Sequence, residues 1–103
     1  MSNKGMEKSI LTLVNIAKLG LSGEQMVADL RADAKAAKGE EADSFKVSAK
    51  TWELNTNNKI NTLSSDVFNN TALKDLEEIK RILDYTNKLL NAGIQQKKSG
   101  KEK

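Results

Sequence analysis

A single helical spacing of mainly apolar residues runs from Phe45 to Val67. Its members follow one another at steps of three or four residues, and they are Phe45, Ala49, Trp52, Thr56, Ile60, Leu63 and Val67. Steps of this size keep side chains on one face of an α-helix. The spacing therefore predicts one long helix over about residues 40–69, and a helix continuous from 42 to 68 is about 40 Å long.

The centre of this predicted helix is weak. The run Asn55-Thr56-Asn57-Asn58 consists of residues with mediocre helix propensity, because short polar side chains compete for backbone hydrogen bonds. A break at 55–58 is therefore the alternative to a continuous helix. Val47 and Leu54 lie on the face opposite Phe45, so the helix is apolar on two sides and needs two partners.

Two shorter helices are predicted before the long one. Apolar residues from Met6 to Leu21 keep a helical spacing, and they are Met6, Ile10, Leu13, Val14, Ala17 and Leu21. The sequence Ser22-Gly23-Glu24-Gln25 then fits a capping box, in which a hydroxyl residue is followed three positions later by Glu or Gln. This motif predicts a new helix from Ser22, with a stripe through Met26, Val27, Leu30, Ala34 and Ala37 and an end at Gly39.

The last predicted helix follows a break at Asn69-Asn70-Thr71, with Asn70 or Thr71 as its N-cap. Its stripe alternates steps of three and four residues through Leu76, Ile79, Leu83, Thr86 and Leu90. Gly93 is expected to end this helix near Ala92. Residues 95–103 are polar and rich in lysine, so we predict a disordered tail there.

These elements predict an all-α protein, either a small helical bundle or an extended helical hairpin of about four helices. A chain of 103 residues is one small domain. We assign residues 1–94 to a single helical domain and 95–103 to the lysine-rich tail.

The chain contains no histidine and no cysteine. Thiolate nucleophiles, zinc-thiolate sites and the commonest metal ligand are therefore excluded. Carboxylates alone can perform acid-base chemistry only in a pocket that separates their pKa values. With four aromatic residues, the chain has little material for such a pocket. We predict no enzymatic activity, no cofactor and no metal.

The net charge of +3 belongs to the end of the chain. Residues 97–103 hold four lysines and one glutamate, and the first 96 residues hold 13 basic and 13 acidic side chains. The lysines Lys97, Lys98, Lys101 and Lys103 are candidate contacts for a phosphate backbone. No aromatic residue lies among them to stack on bases, so a solubilising tail is the preferred interpretation.

A small helical chain with a second apolar stripe and no catalytic residues is best interpreted as a protein-protein interaction module. A domain of this size buries a modest fraction of its surface, so a partner explains the second stripe better than a larger core. We predict self-association into a homo-oligomer and binding to another protein as an adaptor, inhibitor, chaperone or assembly subunit. The predicted interface residues are Val47, Trp52, Leu54, Ile82 and Leu89.

Two other functions remain open. The sequence Leu19-Gly20-Leu21-Ser22, followed by Met26 and Leu30, resembles the turn and second helix of bacterial helix-turn-helix regulators, which implies nucleic-acid binding. Glu24 and Asp29 would then face phosphates, which is electrostatically unfavourable. The composition also resembles that of the needle-type filament subunits of type III secretion, which are small, helical and free of cysteine. This resemblance implies an exported helical filament subunit as the second alternative.

No segment has the roughly 20 apolar residues that a membrane span requires. The apolar run from Ser9 to Leu21 is interrupted by Asn15 and Lys18 and makes a poor signal peptide. We therefore expect a cytoplasmic protein, with leaderless export as the alternative. The small, Asn- and Lys-rich chain is compatible with a bacterial or phage source.

Overall fold

The structure is a computed structural model that describes residues 3–100. This part of the chain folds into three long helices. They are α1, Asn3–Ala36; α2, Glu40–Asn69; and α3, Leu73–Gly100. The all-α prediction is confirmed. The prediction of about four helices is wrong, because the two helices expected before residue 39 are one.

Helix α1 continues through the predicted turn at residues 20–22. Ser22 is exposed within the helix, and the Gln25 Nε2 donates to Asp29 Oδ1 at 2.9 Å, one turn further along. The sequence Ser22–Gln25 therefore matches the capping-box pattern by chance and does not begin a helix. The turn that supported a helix-turn-helix is a continuous helix in the structure.

Gly20 and Gly23 do not form a turn. They lie within α1, where it packs against α2. A Cβ atom at position 23 would lie 2.5 Å from Thr56 Cγ2 and 2.7 Å from Thr56 Oγ1. A Cβ atom at position 20 would lie 3.2 Å from Ile60 Cδ1. Because glycine has no side chain, the two helices can approach closely here.

The face of α1 that contacts α2 agrees only in part with the two predicted stripes. Its buried residues step by helical intervals through Ile16, Gly23, Val27 and Ala34. Val27 and Ala34 belong to the second predicted stripe, whereas Ala17 and Leu21 of the first lie about a quarter-turn away and are exposed. The first half of α1 is apolar over a wide arc, so the spacing did not identify the side that α2 covers.

Helix α2 confirms the predicted helix over 40–69, without a break at 55–58. Its buried residues are Ala42 and Ala49, and Thr56 is half-buried against Gly23. This contact lies in the stretch of weak helix propensity, and tertiary packing outweighs propensity there. The Arg31 Nη2 pairs with Glu53 Oε2 at 3.2 Å and links the exposed edge of the two helices.

A short turn reverses the chain between α1 and α2. Gly39 has φ 63° and ψ −135°, a conformation that glycine adopts readily and other residues avoid. Glu40, Glu41 and Asp43 follow in the first turn of α2, where negative charge stabilises the positive end of the helix dipole. The resulting antiparallel hairpin of α1 and α2 forms the main body of the protein.

Asn70 and Thr71 terminate α2 instead of starting α3. The Asn70 Nδ2 donates to the carbonyl of Asp66 at 2.7 Å, and the Thr71 Oγ1 donates to the carbonyl of Val67 at 2.7 Å. Both hydrogen bonds satisfy carbonyl groups in the last turn of α2. The prediction that one of these residues caps the last helix is therefore wrong, and α3 begins at Leu73.

Helix α3 projects sideways from the hairpin. The Cα atoms span 55 × 48 × 16 Å. A helical hairpin with an interaxial distance of about 10 Å cannot reach the second dimension unless α3 extends away from it. The predicted end at Gly93 is wrong, because α3 continues to Gly100. Residues 95–100, predicted to be disordered, are its last turns, and 101–103 lie outside the described residues.

Candidate protein-interaction surface

The first half of α3 is attached to the hairpin by one apolar face. Ile79 is the anchor, with only 2% of its surface exposed. Leu76 and Leu83, on the same face one turn before and after it, are half-buried. Contact between α3 and the hairpin involves mainly α1.

The second half of α3, residues 84–100, is the projecting segment. Every residue in it except Gly93 is exposed, and Gly93 is intermediate. At 1.5 Å per residue the segment is about 25 Å long. No other part of residues 3–100 covers it.

The face that buries Ile79 continues along the projecting segment as an uncovered apolar stripe. Leu90 lies eleven positions after Ile79, three helical turns further on, and is 59% exposed. Leu89 and Ile94 flank Leu90 on this face and are also exposed, at 58% and 49%. Ile82, which is 36% exposed, joins the stripe to the attached half, and Tyr85 borders it. The stripe thus runs from a buried anchor into solvent.

The projecting segment as a whole carries little charge. Its charged residues within 84–100 are Asp84, Lys88, Lys97 and Lys98. The Asp84 Oδ2 accepts from the Lys80 Nζ at 2.7 Å, so its charge is compensated by the preceding turn. From residue 85 onward the segment holds lysines and no acid, whereas the first twelve residues of α3 hold four acids and three bases.

The predicted interface residues fall into separate groups in the structure. Ile82 and Leu89 lie on the stripe of α3. Val47 and Leu54 are exposed on the side of α2 that faces away from α1. Trp52 lies at the edge of the α1–α2 interface with 47% of its surface exposed. The structure brings Ile82 and Leu89 onto one surface and leaves the three α2 residues apart from it.

Sequence reasoning left Leu90 and Ile94 out of the predicted interface. The signal was available, because the helical spacing of apolar residues continues across Gly93 to Ile94. A glycine near the end of a helical pattern favours a helix end, but an isolated glycine within such a pattern is tolerated at a cost of about 1 kcal/mol. Lys97 and Lys98, the described members of the predicted lysine group, lie on the last turns of α3, and Lys101 and Lys103 lie outside the described residues.

Other parts of the structure offer less for chemistry. A cleft of about 350 Å³ lies between α1 and α2 beside Gly23, and the exposed Arg31–Glu53 pair spans it. Among residues 3–100 there is no group of three acidic residues that could hold a metal ion. Within the same residues, none of the helices carries an apolar stretch long enough to cross a bilayer.

Comparison with known proteins gives no relative. No family model, no curated protein and no solved structure matches the chain.

Proposed function

We propose that this chain is a non-enzymatic protein-protein interaction module and that the stripe of the projecting segment is its contact surface. The observation that supports this proposal is the continuity of one helix face from the buried Ile79 to the exposed Leu89, Leu90 and Ile94. Burying apolar surface contributes about 25 cal/mol per Å². A stripe of this length left in water therefore favours association.

The stability of the segment itself supports the same proposal. Most of the stability of a helix in a protein comes from tertiary packing of its apolar face and not from helix propensity. Residues 84–100 have no tertiary contact that would hold them helical, and Gly93 weakens them further. A partner that covers Leu90 and its neighbours would supply the missing packing, so we expect binding to stabilise this half of α3.

Site-specific photo-crosslinking in the cells that produce the protein tests this function. A benzophenone amino acid at Leu89 lies on the stripe, and the same group at Asn91 lies on the opposite side of the same turn. We expect discrete protein adducts from position 89, identified by mass spectrometry, and few from position 91. Equal labelling from both positions, or adducts from neither, would contradict the proposal.

The nucleic-acid alternative retains one supporting feature, the lysines at the end of the chain. A gel shift with random duplex DNA at low and moderate salt separates the two functions. An interaction module with a neutral body should show weak, salt-sensitive binding that disappears when residues 97–103 are deleted. Tight binding that survives this deletion would favour the nucleic-acid regulator.

The exported filament subunit is favoured by the location of Val47 and Leu54. These residues form an exposed apolar pair on α2, away from the stripe of α3. Two different contact surfaces on one chain can join copies head to tail, and such contacts make open assemblies when they do not close into a ring. Concentration-dependent fibres in electron micrographs would support this second candidate.

A further inference from the structure

Two lysines lie at the end of the apolar stripe on the projecting segment. Lys97 follows Leu90 by seven residues, and Lys98 follows Ile94 by four, so both lysines continue the face that carries the stripe. Among residues 3–100, no carboxylate pairs with either lysine. The uncovered apolar face therefore ends in two uncompensated positive charges.

The position of Lys97 restricts what can cover the stripe. A partner that packs on Leu90 and Ile94 also removes water from Lys97, because Lys97 lies in line with Leu90 on the helix. Removing an ammonium group from water is costly unless a carboxylate pairs with it. A basic or entirely apolar partner would leave this charge unpaired, so the covering surface needs an acid beside Lys97.

A second copy of the segment does not supply this acid. Residues 85–100 contain three lysines and no acid, and Asp84 already accepts from the Lys80 Nζ at 2.7 Å. With the end of the chain included, residues 85–103 hold five lysines and one glutamate. Two such segments carry a large excess of positive charge, which disfavours contact between them. Charge therefore favours a different protein as the partner of the stripe.

A facing helix matches the shape of the stripe better than a lipid surface does. Between residues 85 and 100 the only large aliphatic side chains are Leu89, Leu90 and Ile94. Three such side chains bury little area, and the binding of an amphipathic helix to a membrane scales with buried apolar area. Gly93 lies between Leu89, Leu90 and Lys97 on the helix surface, and a Cβ atom there would meet nothing within 4 Å. A hole of this kind receives one large side chain of a facing helix.

The helix dipole gives the direction of the partner helix. Negative side chains stabilise the first turn of a helix and destabilise its last turn. The acids that meet Lys97 and Lys98 therefore belong in the first turn of the partner, beside the last turn of α3. The partner then runs antiparallel to α3. Its contact extends over about 16 residues, because the hairpin covers α3 before residue 84.

We propose, on the basis of the proposed function, that the stripe binds an acidic amphipathic helix of another protein, antiparallel to α3. Carboxylates in the first turn of this helix pair with Lys97 and Lys98. Apolar residues in its following turns cover Leu90 and Ile94, and one of them fills the hole over Gly93.

Two synthetic peptides test this chemistry on the purified full chain. Both are about 18 residues long and carry leucines at alternating steps of three and four residues. The acidic peptide has glutamates in its first turn, and the basic peptide has lysines there. By fluorescence anisotropy, the acidic peptide should bind roughly tenfold more tightly than the basic one. The difference should decrease at about 1 M salt.

Substitution of Lys97 separates local pairing from a general effect of charge. Lys97→Glu should weaken binding of the acidic peptide by roughly tenfold and strengthen binding of the basic peptide. Lys88→Glu makes the same change of charge on the opposite side of the segment, and it should change either affinity less than about twofold. Leu90→Lys should abolish binding of the acidic peptide. Circular dichroism checks that the variants stay helical.

Several outcomes would overturn the acidic partner helix. Equal binding of the two peptides is one, and the others are an acidic peptide unaffected by Lys97→Glu and no binding of either peptide at about 200 µM. A dimer in sedimentation that Leu90→Lys disrupts would assign the stripe to a second copy. Binding to vesicles of phosphatidylcholine with phosphatidylserine in preference to the acidic peptide would assign it to a lipid surface.

Failure of this inference and failure of the proposed function are distinguishable. Photo-crosslinked adducts from Leu89 that persist with Lys97→Glu would still support the interaction module and would overturn the acidic partner. Absence of adducts from Leu89 would contradict the proposed function, whether or not the acidic peptide binds.

Discussion

Gly23 of α1 and Thr56 of α2 lie in direct contact at the centre of the helical hairpin, where a Cβ atom on residue 23 would be 2.5 Å from Thr56 Cγ2. Two weak helix formers thus meet where the two helices approach closely. The pair explains both a glycine inside a 34-residue helix and the continuity of α2 through its polar centre.

Gly23→Ala should destabilise the protein by about 1–3 kcal/mol, because the added methyl group overpacks the contact with Thr56. Gly20→Ala should be close to neutral, since it meets the flexible end of Ile60 at 3.2 Å. Gly93→Ala is the control in open space and should raise helicity. Urea unfolding and circular dichroism measure the series. Equal stabilisation by all three substitutions would contradict the close approach of α1 and α2.

Replacing Asn55 and Asn58 by alanine should stabilise α2 by about 0.5 kcal/mol per site, because both residues are exposed and alanine is the better helix former. Thr56→Ala should not give this gain, since Thr56 packs against Gly23. Thermal unfolding of the double variant and of Thr56→Ala measures the difference. If the double variant unfolds at a lower temperature than the natural chain, α2 is interrupted at 55–58.

Ile79→Ala should release α3 from the hairpin at a cost of about 2–4 kcal/mol to its attachment, because Ile79 is the buried anchor of this contact. Hydrogen exchange should become faster in residues 73–83 and stay slow in the α1–α2 interface. Leu73→Ala on the same helix is the control, and since Leu73 is largely exposed we expect a change below about 0.5 kcal/mol. Equal effects of the two substitutions would show that α3 is held elsewhere.

The Arg31–Glu53 pair should contribute little to stability, because both side chains are about half exposed. A double-mutant cycle with Arg31→Ala and Glu53→Ala should give a coupling energy of about 0.2–1 kcal/mol. The coupling should decrease at about 1 M salt, where the Debye length is near 3 Å. A larger coupling that persists in salt would indicate that the pair is buried, as it would be if a partner covered the cleft.

The sequence predicted α2 correctly because seven positions from Phe45 to Val67 share one helical spacing. A long run of this kind is a strong signal, and the three asparagines of poor helix propensity at 55–58 do not outweigh it. The capping box at Ser22–Gln25 is a four-residue pattern, which occurs by chance inside helices. It was wrong because the role of Gly20 and Gly23 depends on α2, whose closest residues are more than 30 positions away in the chain.

The predicted interface residues also show which features the sequence can predict and which depend on the tertiary structure. Ile82 and Leu89 were predicted from the spacing within α3, and the structure places both on its exposed stripe. The grouping with Val47, Trp52 and Leu54 could not be tested by spacing, since spacing gives the face of one helix and not its position relative to another.

The sequence alone determined that the chain is helical and which arcs of each helix are apolar, because periodicity is a local property. Only the tertiary structure decided which arcs are covered, because helix packing depends on contacts between distant residues. Ile79 is buried against the hairpin, while Leu90, on the same face of the same helix, is exposed.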